Sequence, residues 1–258
     1  MKRILIASAA LLPAWTMASA QESEDVRVRV GLGAQLQPKF YGGDKVELGP
    51  LWDLDFASGD KEFRFEAPDD GFDIVLISEE SFSAGPVAKL QPGRKNSDVG
   101  AAVGKVKTTI EAGAFVQFNP IKSLRIRGEL RKGIGGHDGL VGDAGADFVW
   151  RDGDNYVFSI GPRVLFSNAK FQRAFFEVTP AAALATGLPV YRPGGGIHAV
   201  AATSGLTYQF NKDFGMFGYA RYERLVGDAG KSPIVRNLGS RNQASGGVGL
   251  SYTFSVKR

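Results

Sequence analysis

The chain has no cysteine among its 258 residues. Without thiols it forms no disulfide and offers no thiolate to a metal, which excludes a disulfide-stapled small fold and a cysteine zinc site. Histidine is almost as scarce, with only His137 and His198. No His/Asp/Glu group has metal-ligand spacing, so neither a metal nor another cofactor is expected. Beyond the amino terminus no apolar run approaches the roughly 20 residues that a membrane helix needs. A dominant charge is missing too. The formal net charge is +4, half of it from Lys2 and Arg3, and no Lys/Arg block stands out. Nucleic acid is therefore not an expected partner.

The first twenty residues read as a secretory signal. Lys2 and Arg3 give a positive start, residues 4–12 are apolar but too short to span a bilayer, and Ala18-Ser19-Ala20 is a small-residue cleavage site before Gln21. The expected organisation is a signal peptide over 1–20 and one domain over 21–258. An exported chain without disulfides must be stabilised by one large cooperative architecture.

What the chain does contain is period-two alternation. In residues 244–254, Val248, Leu250, Tyr252 and Phe254 fall on one side of an extended chain, and Ser245, Gly247, Gly249, Ser251 and Thr253 on the other. Side chains alternate between the faces of a strand, so one face is apolar and aromatic and the other small and polar. This suits a barrel wall with lipid outside and water within, closed by a strand that carries the aromatics Tyr252 and Phe254. Similar segments fall at 26–36, 46–56, 63–66, 72–90, 108–118, 124–131, 144–150, 156–166, 171–179, 200–210 and 214–225. The sharpest is 124–131, where Leu124, Ile126 and Leu130 oppose Arg125, Arg127, Glu129 and Arg131. Turn residues at 57–60, 119–120, 151–154 and 211–213 separate them as antiparallel hairpins.

The fold class is therefore all-β: an antiparallel transmembrane barrel of about twelve strands after a cleaved signal peptide. Twelve takes 72–90 as one strand and satisfies the even number usual in bacterial barrels. An exported β-sandwich would also alternate, but 34 glycines and aromatics at strand ends favour the barrel. Counting strands back from the carboxyl end places loops 181–196 and 226–242 outside the cell. The same count places 91–106 and 133–140 in the periplasm. Gly49-Pro50, Gly85-Pro86 and Gly161-Pro162 lie inside strands and are expected at bulges or bends, because proline cannot donate to the ladder.

In a barrel, Arg125, Arg127, Glu129 and Arg131 line the lumen with Glu111. They either form a constriction with anion preference or, with Asp147, a salt-bridged plug. Catalysis by a lipid-facing serine–histidine pair is the enzymatic alternative. Neither histidine shares a strand with a well-placed serine, so no catalytic residue is assigned.

Residues 222–235, Tyr-Glu-Arg-Leu-Val-Gly-Asp-Ala-Gly-Lys-Ser-Pro-Ile-Val, resemble the Y-x-R-L-x-G-D-A-x-x-S-P-[IV]-V run of the MipA/OmpV family. Ser240-Arg241-Asn242-Gln243, Gly135-Gly136-His137-Asp138-Gly139 and Gly187-Leu188-Pro189 continue the resemblance over nearly the whole mature chain. It singles out Gly227, Asp228, Ser232 and Pro233 as a loop motif, whose Asp and Pro suit a self-packed loop over the barrel mouth. One departure is that four residues follow Phe254, where the family's aromatic is usually last. The resemblance implies a non-enzymatic outer-membrane barrel in a Gram-negative bacterium, inserted by the barrel-assembly machinery. The family's name-giving member is a scaffold that links a lytic transglycosylase to a penicillin-binding protein, both acting on peptidoglycan. Other members are described as porin-like channels or adhesins. Besides outer-membrane lipid, those two enzymes are the partners this implies.

Overall fold

Alternation produces a single sheet. The computed structural model describes residues 25–257, so the expected signal peptide lies outside the described residues. Twelve antiparallel strands occur in chain order: β1 (Val26–Pro38), β2 (Val46–Ser58), β3 (Phe72–Asp73), β4 (Ile77–Ser78), β5 (Phe82–Gln91), β6 (Thr109–Ile121), β7 (Leu124–Ile134), β8 (Leu140–Asp152), β9 (Tyr156–Ser167), β10 (Gly196–Gln209), β11 (Phe214–Leu225) and β12 (Asn242–Val256). From β5 to β12 neighbours in sequence pair in space, as do β1 and β2, and β12 returns to β1 with Val26 opposite Val256. The sheet thus runs from β2 through β1, β12 and the intervening strands to β5, which carries β3 and β4.

The two faces separate as a membrane barrel requires. On β7, Arg125 is 1% exposed, whereas its neighbour Ile126 is 46% exposed. Outward Leu, Ile, Val and aromatic side chains recur on the other strands and meet lipid. At one rim the outward aromatics gather into a girdle: Phe148, Trp150 and Phe158 stack in series, as do Phe214, Tyr252 and Phe254. Tyr252 and Phe254 therefore lie on the lipid face, and β12 continues past them to Val256.

The two rims differ. At one, the chain ends meet and the turns at 79–81, 122–123, 153–155 and 210–213 are short. At the other, the connections 39–45, 92–108, 135–139, 168–195 and 226–241 are mostly long. Bacterial barrels place short turns and both termini in the periplasm and long loops outside. Residues 91–106 and 133–140 share the outer rim with the two C-terminal loops, which overturns their expected periplasmic placement.

Three segments depart from the expected strands, and the last of them, counted back from the carboxyl end, causes the slip. Residues 63–66 form no strand; they belong to a stretch, 59–71, that leaves β2 and runs inside the barrel. Residues 72–90 are not one strand but a descending pair of fragments, β3 and β4, hairpinned to β5. Residues 171–179 fold mainly as helix rather than strand. The Gly-Pro pairs also depart from expectation. Pairing continues in register through Pro50, Pro86 and Pro162, and the register shifts fall instead at Ile197/Ala199 and Phe118/Ile121.

The apolar core sits outside the barrel. Five short helices, α1 (Asn96–Val99), α2 (Ala169–Phe176), α3 (Pro180–Thr186), α4 (Gly227–Lys231) and α5 (Pro233–Leu238), form a cap over the outer rim. The caps follow sequence rules: Asn168 accepts from Phe171 N at 3.2 Å, Thr179 from Ala182 N at 3.2 Å, and Pro occupies the first turn of α3 and α5. The helices bury Phe171, Phe175, Phe176, Val178, Leu225 and Ile234 with Phe40 and Val103 from other outer loops.

Candidate functional site: a plugged lumen under a helical cap

The inner segment 59–71 is bound at the inner rim by aromatic and ionic contacts. The Phe63 ring lies beneath the guanidiniums of Arg27 and Arg29, 4.8 and 4.7 Å from its centroid. Its N–H donates to Asp154 at 3.0 Å, and its carbonyl accepts from Arg151 at 3.1 Å. Phe65 sits under Arg125 at 4.9 Å. The alternation of Phe63 and Phe65 thus serves ring–cation stacking inside the lumen, not a lipid face.

Higher up, two adjacent acids of this segment join opposite walls. Asp69 pairs with Arg163 of β9 at 3.0 Å and with Arg221 of β11, and accepts from Thr203 of β10 at 3.1 Å. Lys89 of β5 donates to its carbonyl at 2.6 Å. Asp70 takes Arg125 of β7. Arg125 also holds Asp147 at 2.7 Å, and Asp147 holds Arg163 at 2.8 Å. One ring of charges therefore links the plug to β7, β8, β9 and β11. Burial alone would make each ion costly; here each charge meets more than one counter-charge, which offsets the desolvation.

The expected lumen charges all face inward and are buried. Arg127 bonds Glu129 at 2.8 Å, lies 4.0 Å over the Phe115 ring and reaches Asp73 at 2.7 Å. Arg131 joins Glu111 at 3.0 Å and Asp143 at 2.9 Å, and also bonds Glu129. Glu111 continues to His137 Nε2 at 3.1 Å. His137 packs edge-on to Phe171 with centroids 4.9 Å apart, so the ionic network ends against the cap.

The loop motif belongs to the cap, apart from the ionic network. Gly227 has φ +56, and a Cβ there would stand 2.6 Å from the Ile197 carbonyl, which only glycine tolerates. Asp228 accepts from Gly194 N at 2.9 Å, and its carbonyl accepts from Tyr191 at 2.8 Å. Ser232 donates to Phe176 O at 2.8 Å while capping α5, and Pro233 is buried at the start of that helix. Arg94 is held by the carbonyls of Ala174, Phe175 and Gly104 at the end of α2; burial pulls its guanidinium down to about 10.

One histidine meets a serine across two strands, Ser167 on β9 and His198 on β10. Ser167 Oγ lies 3.0 Å from His198 Nδ1. The register shift between Ile197 and Ala199 turns His198 inward, as a bulge re-aims a side chain. Both residues are buried, and Tyr41 packs edge-on to His198 at 6.0 Å. Burial and the neighbouring Glu223 push the Tyr41 hydroxyl well above its usual range. His198 lines the interior cavity but Ser167 does not, so the hydroxyl is not presented to it. Among the described residues no group of three or more His, Cys, Asp or Glu could hold a metal.

Sequence reasoning missed Asp69, Asp70, Arg163 and Arg221. Arg163 and Arg221 stand on alternating strands among apolar neighbours, as Arg125 does, and could have been found that way. The two aspartates follow Ala67-Pro68 and precede Gly71, which reads as an ordinary turn.

Solved structures with a similar outline are outer-membrane proteins. An outer membrane channel from Pseudomonas putida F1 is 9% identical, with 92% of this chain and 98% of that chain covered and a TM-score of 0.46. The channel DcaP of Acinetobacter baumannii is 9% identical over 89% and 96%, with a TM-score of 0.39. No curated protein matches the sequence. The sequence model described as MltA-interacting protein MipA matches residues 30–254. With its lipid-facing wall and all but a few residues of its described sequence inside that match, the chain belongs to the MipA family of outer-membrane barrels.

Proposed function

We propose that this protein is a non-catalytic anchor in the outer membrane that holds peptidoglycan enzymes, a lytic transglycosylase and a penicillin-binding protein, at the inner surface of that membrane. The carrying observation is the segment threaded across the lumen: it is ion-paired to walls on several sides of the barrel, and the cap covers the outer rim. A barrel obstructed along its axis is ill suited to conduct solutes. The family's description as MltA-interacting supports a partner that works on the cell wall. The shielding of Ser167 from the cavity supports the absence of hydrolytic chemistry. The contact surface moves from the loop 91–106, which lies at the outer rim, to the short inner turns with Glu80, Lys122 and Lys212.

Photo-crosslinkers at Glu80 and Lys212 in the native envelope test the reading. Adducts with a transglycosylase or a synthase are expected; adducts with neither would remove it. Reconstitution in planar bilayers should show no steady conductance. An ohmic pore would instead favour a narrow channel for small polar solutes.

A further inference from the structure

The wall has a gap. β2 pairs with β1 along its whole length, and β3 and β4 pair with β5, but among the described residues no bridge joins β2 to β3, β4 or β5. β3 is also short, so the edge of β5 above Ala88 has no strand beside it. Open backbone in the hydrocarbon layer is tolerated only where it lines a water-filled cavity or is buried in protein.

A cavity of about 900 Å³ occupies the lumen and continues through this gap. On the intact strands β8 and β9 it is lined by alternate residues only, Val141 and Asp143, then Val157, Ser159, Arg163 and Leu165. Intact β10 and β11 contribute runs of three, 205–207 and 217–219, whereas at the gap the runs lengthen to every residue from Pro50 to Asp55 and from Ala88 to Pro92, lipid-facing Trp52, Leu54 and Leu90 among them. Its outer lip is apolar, with Trp52, Leu54 and Leu90 exposed towards lipid.

The inner lip is charged. Arg29 is shared by Asp53, at 3.4 Å, and Asp55, and Arg64 is shared by Glu66 and Asp73. Arg127 also reaches Asp73 but is held by Glu129. Lys89 on the facing wall is bonded to the Asp69 carbonyl. The inner lip therefore carries four carboxylates, Asp53, Asp55, Glu66 and Asp73, against Arg29, Arg64 and a share of Arg127, which Glu129 and Asp70 also engage.

We propose that the gap between β2 and β5 is a lateral portal that admits a single-chain amphiphile with a cationic head group from the membrane. The alkyl chain lies against Trp52 and Leu90, and the head group sits between Asp53 and Glu66. The portal is separate from the anchoring role, since the axial path stays closed while the lateral one is open.

Trp52 is a reporter at the portal, and Trp150 lies in the girdle at the inner rim. Trp150→Phe and Trp52→Phe proteins, purified as mature chains in phosphatidylcholine vesicles, would be titrated with 12-bromododecyl-trimethylammonium and with 12-bromododecanoate. Bromine quenches Trp52 at several-fold lower concentration of the cation than of the anion, whereas Trp150 shows a much smaller difference. Asp53→Asn with Glu66→Gln removes the preference at Trp52 and leaves the quenching of Trp150 as it was. Equal quenching of Trp52 by both heads, the same preference at Trp150, or a preference that survives the double substitution would overturn the portal.

Discussion

The cap and the lumen are built from opposite materials. The cap buries Phe175 and Phe176 completely, with Val178, Leu225 and Ile234 around them. The lumen buries Arg125, Glu111, Asp147 and Arg131 nearly as deeply. A soluble protein keeps apolar residues inside because water surrounds it. Here lipid surrounds the wall, so outward leucine and phenylalanine are already satisfied and inward positions fall to polar groups. The cap projects into water beyond the outer rim and obeys the ordinary rule. One chain thus holds two cores, one stabilised by hydrophobic burial and the other by paired charge.

The comparison breaks most severely at Arg125. Arg125→Ala takes one counter-charge from both Asp70 and Asp147, which keep Arg127 and Arg163, so the effect should lie towards the lower end of the about 3–5 kcal/mol that losing one partner of a buried pair costs. The expected outcome is release of segment 59–71, read as new protease cleavage there and a lower temperature for the folded-to-unfolded gel shift. Unchanged protection would mean the ion pairs do not hold the plug.

Phe175→Ala should act on the other core alone. Truncating a buried phenylalanine costs about 3–5 kcal/mol, here confined to the cap. Hydrogen exchange should rise in 168–195 and 226–241 while strands β6 to β9 stay protected. Loss of protection in the barrel as well would merge the two cores into one cooperative unit.

Much of the barrel was legible because its rule is local. A strand repeats every two residues, and Leu124, Ile126 and Leu130 sort from Arg125, Arg127, Glu129 and Arg131 without any distant contact. The same rule misread Phe63 and Phe65, because a segment threaded through a lumen also alternates when its rings stack under arginines. It misread 171–179 as strand although the signals for helix were present. Asn168 is an N-cap residue, and Phe171 and Phe175 are four apart, the spacing of one helical face. The false strand at 171–179, counted back from the carboxyl end, put the early loops on the wrong side of the membrane.

The sequence by itself determined the environment of each side chain: which face meets lipid, where turns fall, and which loop carries the family motif. These follow from alternation, turn chemistry and short runs of residues. Only the tertiary structure decided which charges meet, since Asp69 and Arg221 are 152 residues apart in sequence and are joined by the curl of the sheet. It alone turned His198 towards Ser167 through a one-residue shift, and among the described residues it alone left β2 without a partner on its outer edge. Closure, pairing and occupancy of a lumen depend on how strands wrap in space, and no local period encodes that.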